Sequence, residues 1–339
     1  MNSPQLRPLK VGVVGATGMV GKSFMETLEQ RRFPVAELRP FASEASIGKK
    51  ISLQGKEYPV QTLKSGCFDG LDLVFFSSGD DISKEWAPLA VKAGAWAVDN
   101  SNAFRMDKDI LLIVPEVNGE LLKKQTKPQI IANPNCTTMQ LVVALKPLQD
   151  QFGLEAVRVS SYQAVSGAGQ PGYDELMEQV RQHDKEPTPK TFSQPILFNC
   201  VPEIGSFNDQ GFTSEEMKVM NETKKIMNQA DLRTSAFTVR VPVLNSHAET
   251  VWVTLKKEVK RDQVVKALSE GEGLIVETDA KKYHTQRQVS GKDPVYVGRV
   301  HQDLAEPRTW MMWVVSDNIR KGAALNGIQI AEQISAFQS

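Results

Sequence analysis

The stretch KVGVVGATGMVG, residues 10–21, constrains the fold more than any other part of the chain. A short apolar run leads straight into Gly15, Gly18 and Gly21, and then into a segment whose Val20, Phe24, Met25 and Leu28 recur at helical spacing. A buried strand, a glycine turn and an amphipathic helix, in that order, make the first half of a βαβ unit. Gly15 permits the tight turn, Gly18 lets the backbone approach a pyrophosphate, and Gly21 allows close helix–strand packing. The helix N-terminus then offers N–H groups and partial positive charge to phosphate. The spacing predicts a dinucleotide site; a bare turn is the bland alternative.

The alternation continues through ELRPFAS (37–43), LDLVFFSSG (71–79), WAVDNS (96–101) and LLIVPEVN (111–118), all read as strands, with a helix over 86–95. Such alternation implies a parallel sheet covered on both faces. After about residue 152 the texture changes. AVRVSSYQAVSG (156–167), TSAFTVRVPV (234–243) and ETVWVTLKKEV (249–259) alternate with one polar face, as in a mixed or antiparallel sheet. Between the first two lies an excursion, roughly 168–233, with helices near 172–183 and 214–229. The second helix opens on a Thr213/Glu216 capping box. The tail, with Ala324, Ile328, Ile330 and Ala331, predicts a final helix that folds back onto the first domain. The expected fold is α/β: an N-terminal Rossmann-type doubly wound domain, 1–135 completed by a C-terminal helix 318–339, plus an α+β catalytic and dimerisation domain with a mixed sheet, 136–317.

Composition excludes several classes. Forty basic and forty acidic residues are interspersed at zero net charge, so no basic stripe predicts nucleic acid and no polybasic segment a membrane surface. No run nears the ~18 apolar residues of a membrane span, and MNSPQLRPLK lacks the apolar core of a signal peptide. Cys67, Cys136 and Cys200 form no close pair, and the four histidines show no metal-ligand spacing. Free thiols in a reducing, cytoplasmic setting and no metal site are expected.

NPNCTT, residues 133–138, sets Cys136 after an Asn-Pro-Asn turn at the mouth of a helix. There the helix dipole and free backbone N–H groups stabilise a thiolate. A nucleophilic thiol on a dinucleotide domain points to aldehyde chemistry through a thioester. RVPVLNSHAE adds His247 as a proton shuttle and Arg240 as a bidentate carboxylate clamp. A buried structural histidine is the bland reading, and sequence alone does not bring His247 to Cys136.

VGVVGATGMVG, VDNSNAFR, VPEVN, NPNCTT, YQAVSGAG, EEMK, ETKKIM, VRVPVLNSHAE and WVVSDNIRKGAALN follow one another over about residues 10–336. In content and order the set resembles the aspartate-β-semialdehyde dehydrogenases of the bacterial type. The resemblance implies NADPH-dependent reduction of L-aspartyl-4-phosphate to L-aspartate 4-semialdehyde and phosphate, in biosynthesis of lysine, threonine and methionine. It makes Cys136 the nucleophile, His247 the acid/base and Gln163 the residue that orients substrate. Arg240, Glu215 and Lys218 become substrate ligands; Arg105, Asn135 and Lys218 bind phosphate. Gly15, Thr17, Gly18, Met19 and Val20 become cofactor contacts, with Ser166, Gly167 and Asn318 near the nicotinamide end. It also implies a homodimer, or a tetramer built from it. An N-acetyl-glutamyl-phosphate reductase shares the thioester logic, and a non-catalytic dinucleotide sensor shares the fold. The sensor has no need of Cys136, Gln163, Arg240 and His247 together.

NADP is the family expectation, with NAD as the weaker alternative. Many relatives read SARSAGK where this chain has SEASIGK, so the arginine expected at the 2′-phosphate is Ala45. Ser43 and Ser46, with Lys49 or Lys50, can cradle that phosphate; Glu44 suits a ribose hydroxyl instead.

Overall fold

The computed structural model describes residues 6–337. They form two compact units, one running to Pro134 and resuming at Ala323, the other spanning Asn135–Gly322.

The first unit begins with β1 (Leu9–Val14), α1 (Met19–Gln30) and β2 (Val35–Phe41). A hairpin, β3 (Lys50–Leu53) and β4 (Lys56–Pro59), precedes β5 (Leu73–Phe76), α2 (Asp80–Lys92) and β6 (Trp96–Asp99). Then come β7 (Leu111–Leu112), α3 (Pro115–Asn118) and β8 (Ile130–Ala132). Six strands form one parallel sheet in the order β2-β1-β5-β6-β8-β7. The chain reverses direction across the sheet between β1 and β5, which opens a crevice at their carboxyl ends, where the glycine loop sits. Strand residues of both parities are buried: Leu73, Val74, Phe75 and Phe76 all lack solvent contact. Val11, Val13 and Phe75 pack with Phe24 and Leu28 of α1 on one face, while Val14, Val74 and Phe76 pack with Ala87 and Ala90 of α2 on the other.

LLIVPEVN is not one strand. Pairing stops at Leu112, and Pro115 opens the short helix α3 instead. Proline has no N–H for a ladder, and its fixed φ suits the first helical position. The helix expected over 86–95 starts earlier, at Asp80, where Asp80 and Asp81 complement the helix N-terminus.

The second unit holds α4 (Cys136–Phe152), β9 (Leu154–Gln163), α5 (Gly169–Arg181) and α6 (Ser214–Ile226). These are followed by β10 (Arg233–Arg240), β11 (His247–Leu255), α7 (Arg261–Ser269) and β12 (Leu274–Val276). It ends with α8 (Gln286–Val289), β13 (Val295–Gln302) and β14 (Thr309–Ser316). The sheet order is β10-β9-β11-β14-β13-β12. The β9/β10 and β12/β13 pairs are parallel and the others antiparallel, so the sheet is mixed. Along β11, His247, Glu249, Val251 and Val253 are buried while Thr250, Trp252 and Thr254 are half-buried. Period two therefore divides the strand into a face under α4 and an open face. α6 begins with the expected capping box, Thr213 and Glu216 bonding each other's backbone N–H.

The chain returns to the first unit as α9 (Leu325–Phe337). Ile328 and Ala331 join the α1 side of the core, and Asn326 donates to Ile113 O (2.9 Å) and Asn133 Oδ1 (2.7 Å).

Candidate active site

Three adjacent strands end at one place. β9 ends at Gln163, which pairs in parallel register with Arg240, the last residue of β10, and in antiparallel register with His247, the first residue of β11. Register neighbours share a face, so the three side chains converge.

Cys136 is the first residue of α4. Its N-cap is Asn135, whose Oδ1 accepts the N–H groups of Thr137 (2.9 Å) and Thr138 (3.2 Å). Asn135 Nδ2 donates to Glu215 Oε1 (2.9 Å), and its backbone N–H to Glu222 Oε2 (2.7 Å). Both ends of the Asn135 side chain thus serve to hold the turn that presents the thiol. Glu215, Lys218 and Glu222 lie three and seven residues apart on α6, which is one helical face. Gln163 Nε2 donates to Glu215 Oε1 and to Ser161 Oγ, each at 3.2 Å. Half-buried Lys218 pairs with Glu215 Oε2 at 3.5 Å. A cation and an acid therefore stand together beside the Cys136 turn.

His247 is fully buried. Its Nδ1 accepts the Ala164 N–H at 3.1 Å, and Nε2 has no hydrogen-bond partner among the described residues. A backbone N–H can only donate, so Nδ1 keeps its lone pair and the neutral ring carries its proton on Nε2. Burial, and then the charge of Arg240, lower the His247 pKa to about 3. The ring is a neutral donor at physiological pH. Arg240 is almost as buried; its Nη1 donates to Ala164 O (2.7 Å) and its Nε has no partner among the described residues. Burial lowers its pKa, opposed by Glu215 and then Cys136. With Nη1 engaged, the Nε/Nη2 edge is the one offered to a carboxylate.

Gly167 separates these groups. A Cβ there would stand 2.6 Å from Arg240 Nη1 and 3.0 Å from His247 Nε2. Ser166 Oγ and Asn318 share hydrogen bonds of 3.0–3.1 Å, and Asn318 Oδ1 accepts the Ser246 N–H at 2.8 Å. In this structure Ser166 and Asn318 brace the turn that delivers His247. Ser246 itself sits at φ +74°. Two residues that sequence reasoning missed belong here: Ser246, and Gly322, where a Cβ would meet the Cys136 Cβ at 2.8 Å. The lone glycine in RKGAALN was the available signal for the second.

The first unit carries the glycine loop. Gly15 has φ +83°, and a Cβ there would lie 2.8 Å from Ser77 O. A Cβ on Gly21 would strike Gly15 O at 2.2 Å. Gly18 is the N-cap of α1 without a side-chain cap, which leaves the N–H groups of the first turn, begun by Met19 and Val20, to a ligand. Thr17 Oγ1 lies 3.3 Å from Ser46 Oγ, and Ser43 precedes the 3₁₀ turn Glu44–Ser46 without a side-chain cap bond. These features fit a bound dinucleotide. Arg105, buried in the same unit, donates from Nε to Asn133 O (3.0 Å) and from Nη2 to Asn100 O (2.9 Å). Among the described residues no group of histidine, cysteine or acidic side chains has metal-site geometry, and no helix is long and apolar enough to cross a membrane.

Two family models match the chain: semialdehyde dehydrogenase, NAD binding domain, over residues 10–125, and semialdehyde dehydrogenase, dimerisation domain, over 145–321. The aspartate-semialdehyde dehydrogenase of Aquifex aeolicus is 45% identical over 329 residues, covering 95% of this chain and 97% of that protein. The chain belongs to the aspartate-semialdehyde dehydrogenase family. Aspartate-semialdehyde dehydrogenase II of Vibrio cholerae, in a crystal structure complexed with ASA, superposes with a TM-score of 0.94 at 43% identity, covering 97% of this chain and 98% of that one. The aspartate-semialdehyde dehydrogenase of Candida albicans, solved with NADP, gives a TM-score of 0.76 at 28% identity, covering 98% and 99%.

The motif VRVPVLNSHAE ends on an acid to which the sequence reading gave no role. Glu249 is fully buried, two residues beyond His247 on the same face of β11, and neither carboxyl oxygen has a hydrogen-bond partner among the described residues. Burial pushes its pKa well above the usual carboxylate range, and Gln140, the side chain facing it, offsets this only in part. The unfolded chain loses this proton near pH ~4.3 while the native chain keeps it. Stability contributed by the protonated form is present below the unfolded pKa and falls by up to about 1.4 kcal/mol per pH unit as pH rises through the window. Glu249→Gln keeps the shape and removes the titration. The Tm of the variant relative to the parent is expected to rise as pH climbs above about 5; a difference that ignores pH in thermal unfolding would rule out a protonated Glu249.

Proposed function

We propose that the chain interconverts L-aspartyl-4-phosphate and L-aspartate 4-semialdehyde through an acyl-thioester on Cys136, with NADP as the dinucleotide. The convergence of Gln163, Arg240 and His247 at the ends of three paired strands, with Gln163 tied through Glu215 to Asn135 at the head of the Cys136 helix, carries this reading. The Cys136 thiolate adds to the C4 carbonyl, the C–O bond to phosphate breaks, and phosphate leaves with the electron pair. Lys218 stands beside the site to receive that anion. The carbonyl oxygen gathers charge during addition; His247 Nε2–H is the donor for it, worth ~10²–10³ in rate. The Nε/Nη2 edge of Arg240 binds the α-carboxylate, and Glu215 binds the α-ammonium, a group that an acetylated substrate lacks. Gln163 orients the acyl chain. The bound dinucleotide supplies the hydride chemistry. Together these roles place the enzyme in amino-acid biosynthesis from aspartate.

The decisive assay is phosphate-dependent reduction of NADP by aspartate semialdehyde. Turnover that persists without phosphate, or that prefers N-acetyl-glutamate semialdehyde, defeats the proposal. For the assembly we propose a homodimer in which a second copy covers the open face of the mixed sheet, where Thr250, Trp252, Met311 and Trp313 line an apolar groove.

Cofactor choice rests on the turn at Glu44–Ser46. Ser43 and Ser46 donate hydrogen bonds to a 2′-phosphate, Ala45 offers no charge, and Glu44 repels it. NADP is therefore used with weaker discrimination against NAD than in relatives that carry the arginine. Ala45→Arg restores one charge-assisted contact, about 1.5–3 kcal/mol, or one to two decades of preference. The ratio of kcat/KM for NADP over NAD, in parent and variant, measures it. A parent that already prefers NADP several thousandfold, and a variant that adds nothing, would place the 2′-phosphate elsewhere.

A further inference from the structure

The excursion between α5 and α6 has little regular structure, yet two buried side chains of α5 pin it. Glu175 Oε2 accepts the Thr191 N–H, and Gln179 Oε1 accepts the N–H groups of Ile196 (3.1 Å) and Leu197 (2.9 Å). Glu175 and Gln179 are themselves joined at 3.0 Å and are 3% and 5% exposed. Buried polar groups aimed at loop backbone fix that backbone, because leaving them unpaired costs the full desolvation penalty.

What lies between the pins is Phe192. One side of its ring packs with the small core of Val165, Leu176, Ile196 and Val201. Gly172 leaves room for it: a Cβ there would approach Phe192 Cζ to 3.0 Å. The ring also faces Arg240, whose Cζ lies 5.8 Å from the ring centroid, within cation–π range. The guanidinium is thus held at Nη1 by Ala164 O and stands over the face of an aromatic ring, while its buried Nε keeps no partner among the described residues. A ring on that side keeps water away from the cation and narrows the positions the guanidinium can take. Two parallel donors at fixed orientation are what bidentate recognition of a carboxylate requires.

We infer that Phe192 is a positioning residue for Arg240, and that the excursion between α5 and α6 thereby sets selectivity for a substrate bearing an α-carboxylate. This rests on the reading of Arg240 as the carboxylate ligand. A residue that only filled the small core would lower the amount of active enzyme and leave the Michaelis constants alone. A residue that orients the clamp moves one of them.

The test is steady-state kinetics of Phe192→Leu and Phe192→Met, with Phe192→Tyr as the variant that keeps a ring and Arg240→Lys alongside. Both non-aromatic variants are expected to raise KM for aspartate semialdehyde about tenfold, between the sizes of an exposed and a desolvated cation–π contact, with kcat and KM for phosphate within about threefold of the parent. Phe192→Tyr stays close to the parent. An unchanged semialdehyde KM in whichever non-aromatic variant folds overturns the inference, and so does a fall in kcat with every KM unchanged. If Arg240→Lys also leaves that KM unchanged, the carboxylate reading itself has failed. If Arg240→Lys raises it and the Phe192 variants do not, only the role of Phe192 is lost.

Discussion

Cys136→Ser is expected to lower kcat by 10⁴-fold or more, on the order seen when a covalent nucleophile is removed, while the affinity for NADP stays within about twofold. A serine hydroxyl at neutral pH lacks the ionised fraction that makes a thiolate attack. The helix N-terminus that stabilises S⁻ cannot bring an alkoxide into range. The substitution is nearly isosteric, and the Asn135 cap and its bonds to Thr137 and Thr138 survive it. The glycine loop belongs to the other unit and is untouched. Dinucleotide binding by calorimetry therefore serves as the folding control for the lost turnover. Selective alkylation gives a second readout. Cys67 is buried, with burial raising its pKa, so Cys136 should outpace it, and Cys200, although exposed, stands on no helix N-terminus. Near-normal turnover in purified Cys136→Ser would end the thioester mechanism.

Features whose cause is local were legible in the chain. Gly15 and Gly21 do what their spacing announces, because a tight turn and a close helix packing leave no room for Cβ. The Thr213/Glu216 box and the Cys136 helix start were equally plain, since a cap needs only three or four residues. PEVN misled because its apolar residues suit a strand as well as a helix, and the proline decided between them. What no local pattern carries is register. Gln163, Arg240 and His247 meet because β9 pairs in register with both β10 and β11, and 77 residues separate Arg240 from Gln163 along the chain. A slip of one residue in register would send every side chain of the strand to the other face. The buried Glu249, the bracing of Ser246 by Asn318 and the cover that Phe192 gives Arg240 are consequences of that register and of loop pinning. They became visible only with the fold.

His247→Ala is expected to lower kcat/KM by about 10²–10³, and His247→Gln to recover roughly a decade of that. The argument turns on which nitrogen carries the proton. The Ala164 N–H donates to Nδ1, so a second proton on the ring would set two N–H groups against each other. Arg240 and complete burial oppose the same proton, and the pKa falls to about 3. His247 then acts mainly through an Nε2–H donated to the oxygen that gathers charge, and a glutamine amide can imitate that donor in part. The pH dependence carries the sharper test. A ring neutral down to about pH 3 contributes no acid limb between pH 5 and 8, so kcat/KM in that range should keep the same shape in His247→Gln as in the parent. Stability moves instead. The unfolded chain takes up this proton near pH ~6.5, so the stability given by the neutral buried ring is present above that pH and is lost as pH falls toward 3. His247→Gln should flatten that acid-side loss in thermal unfolding. If the parent shows a limb near pH 6.5 in kcat/KM and the glutamine variant lacks it, His247 cycles through imidazolium as a general base, and the donor assignment is wrong.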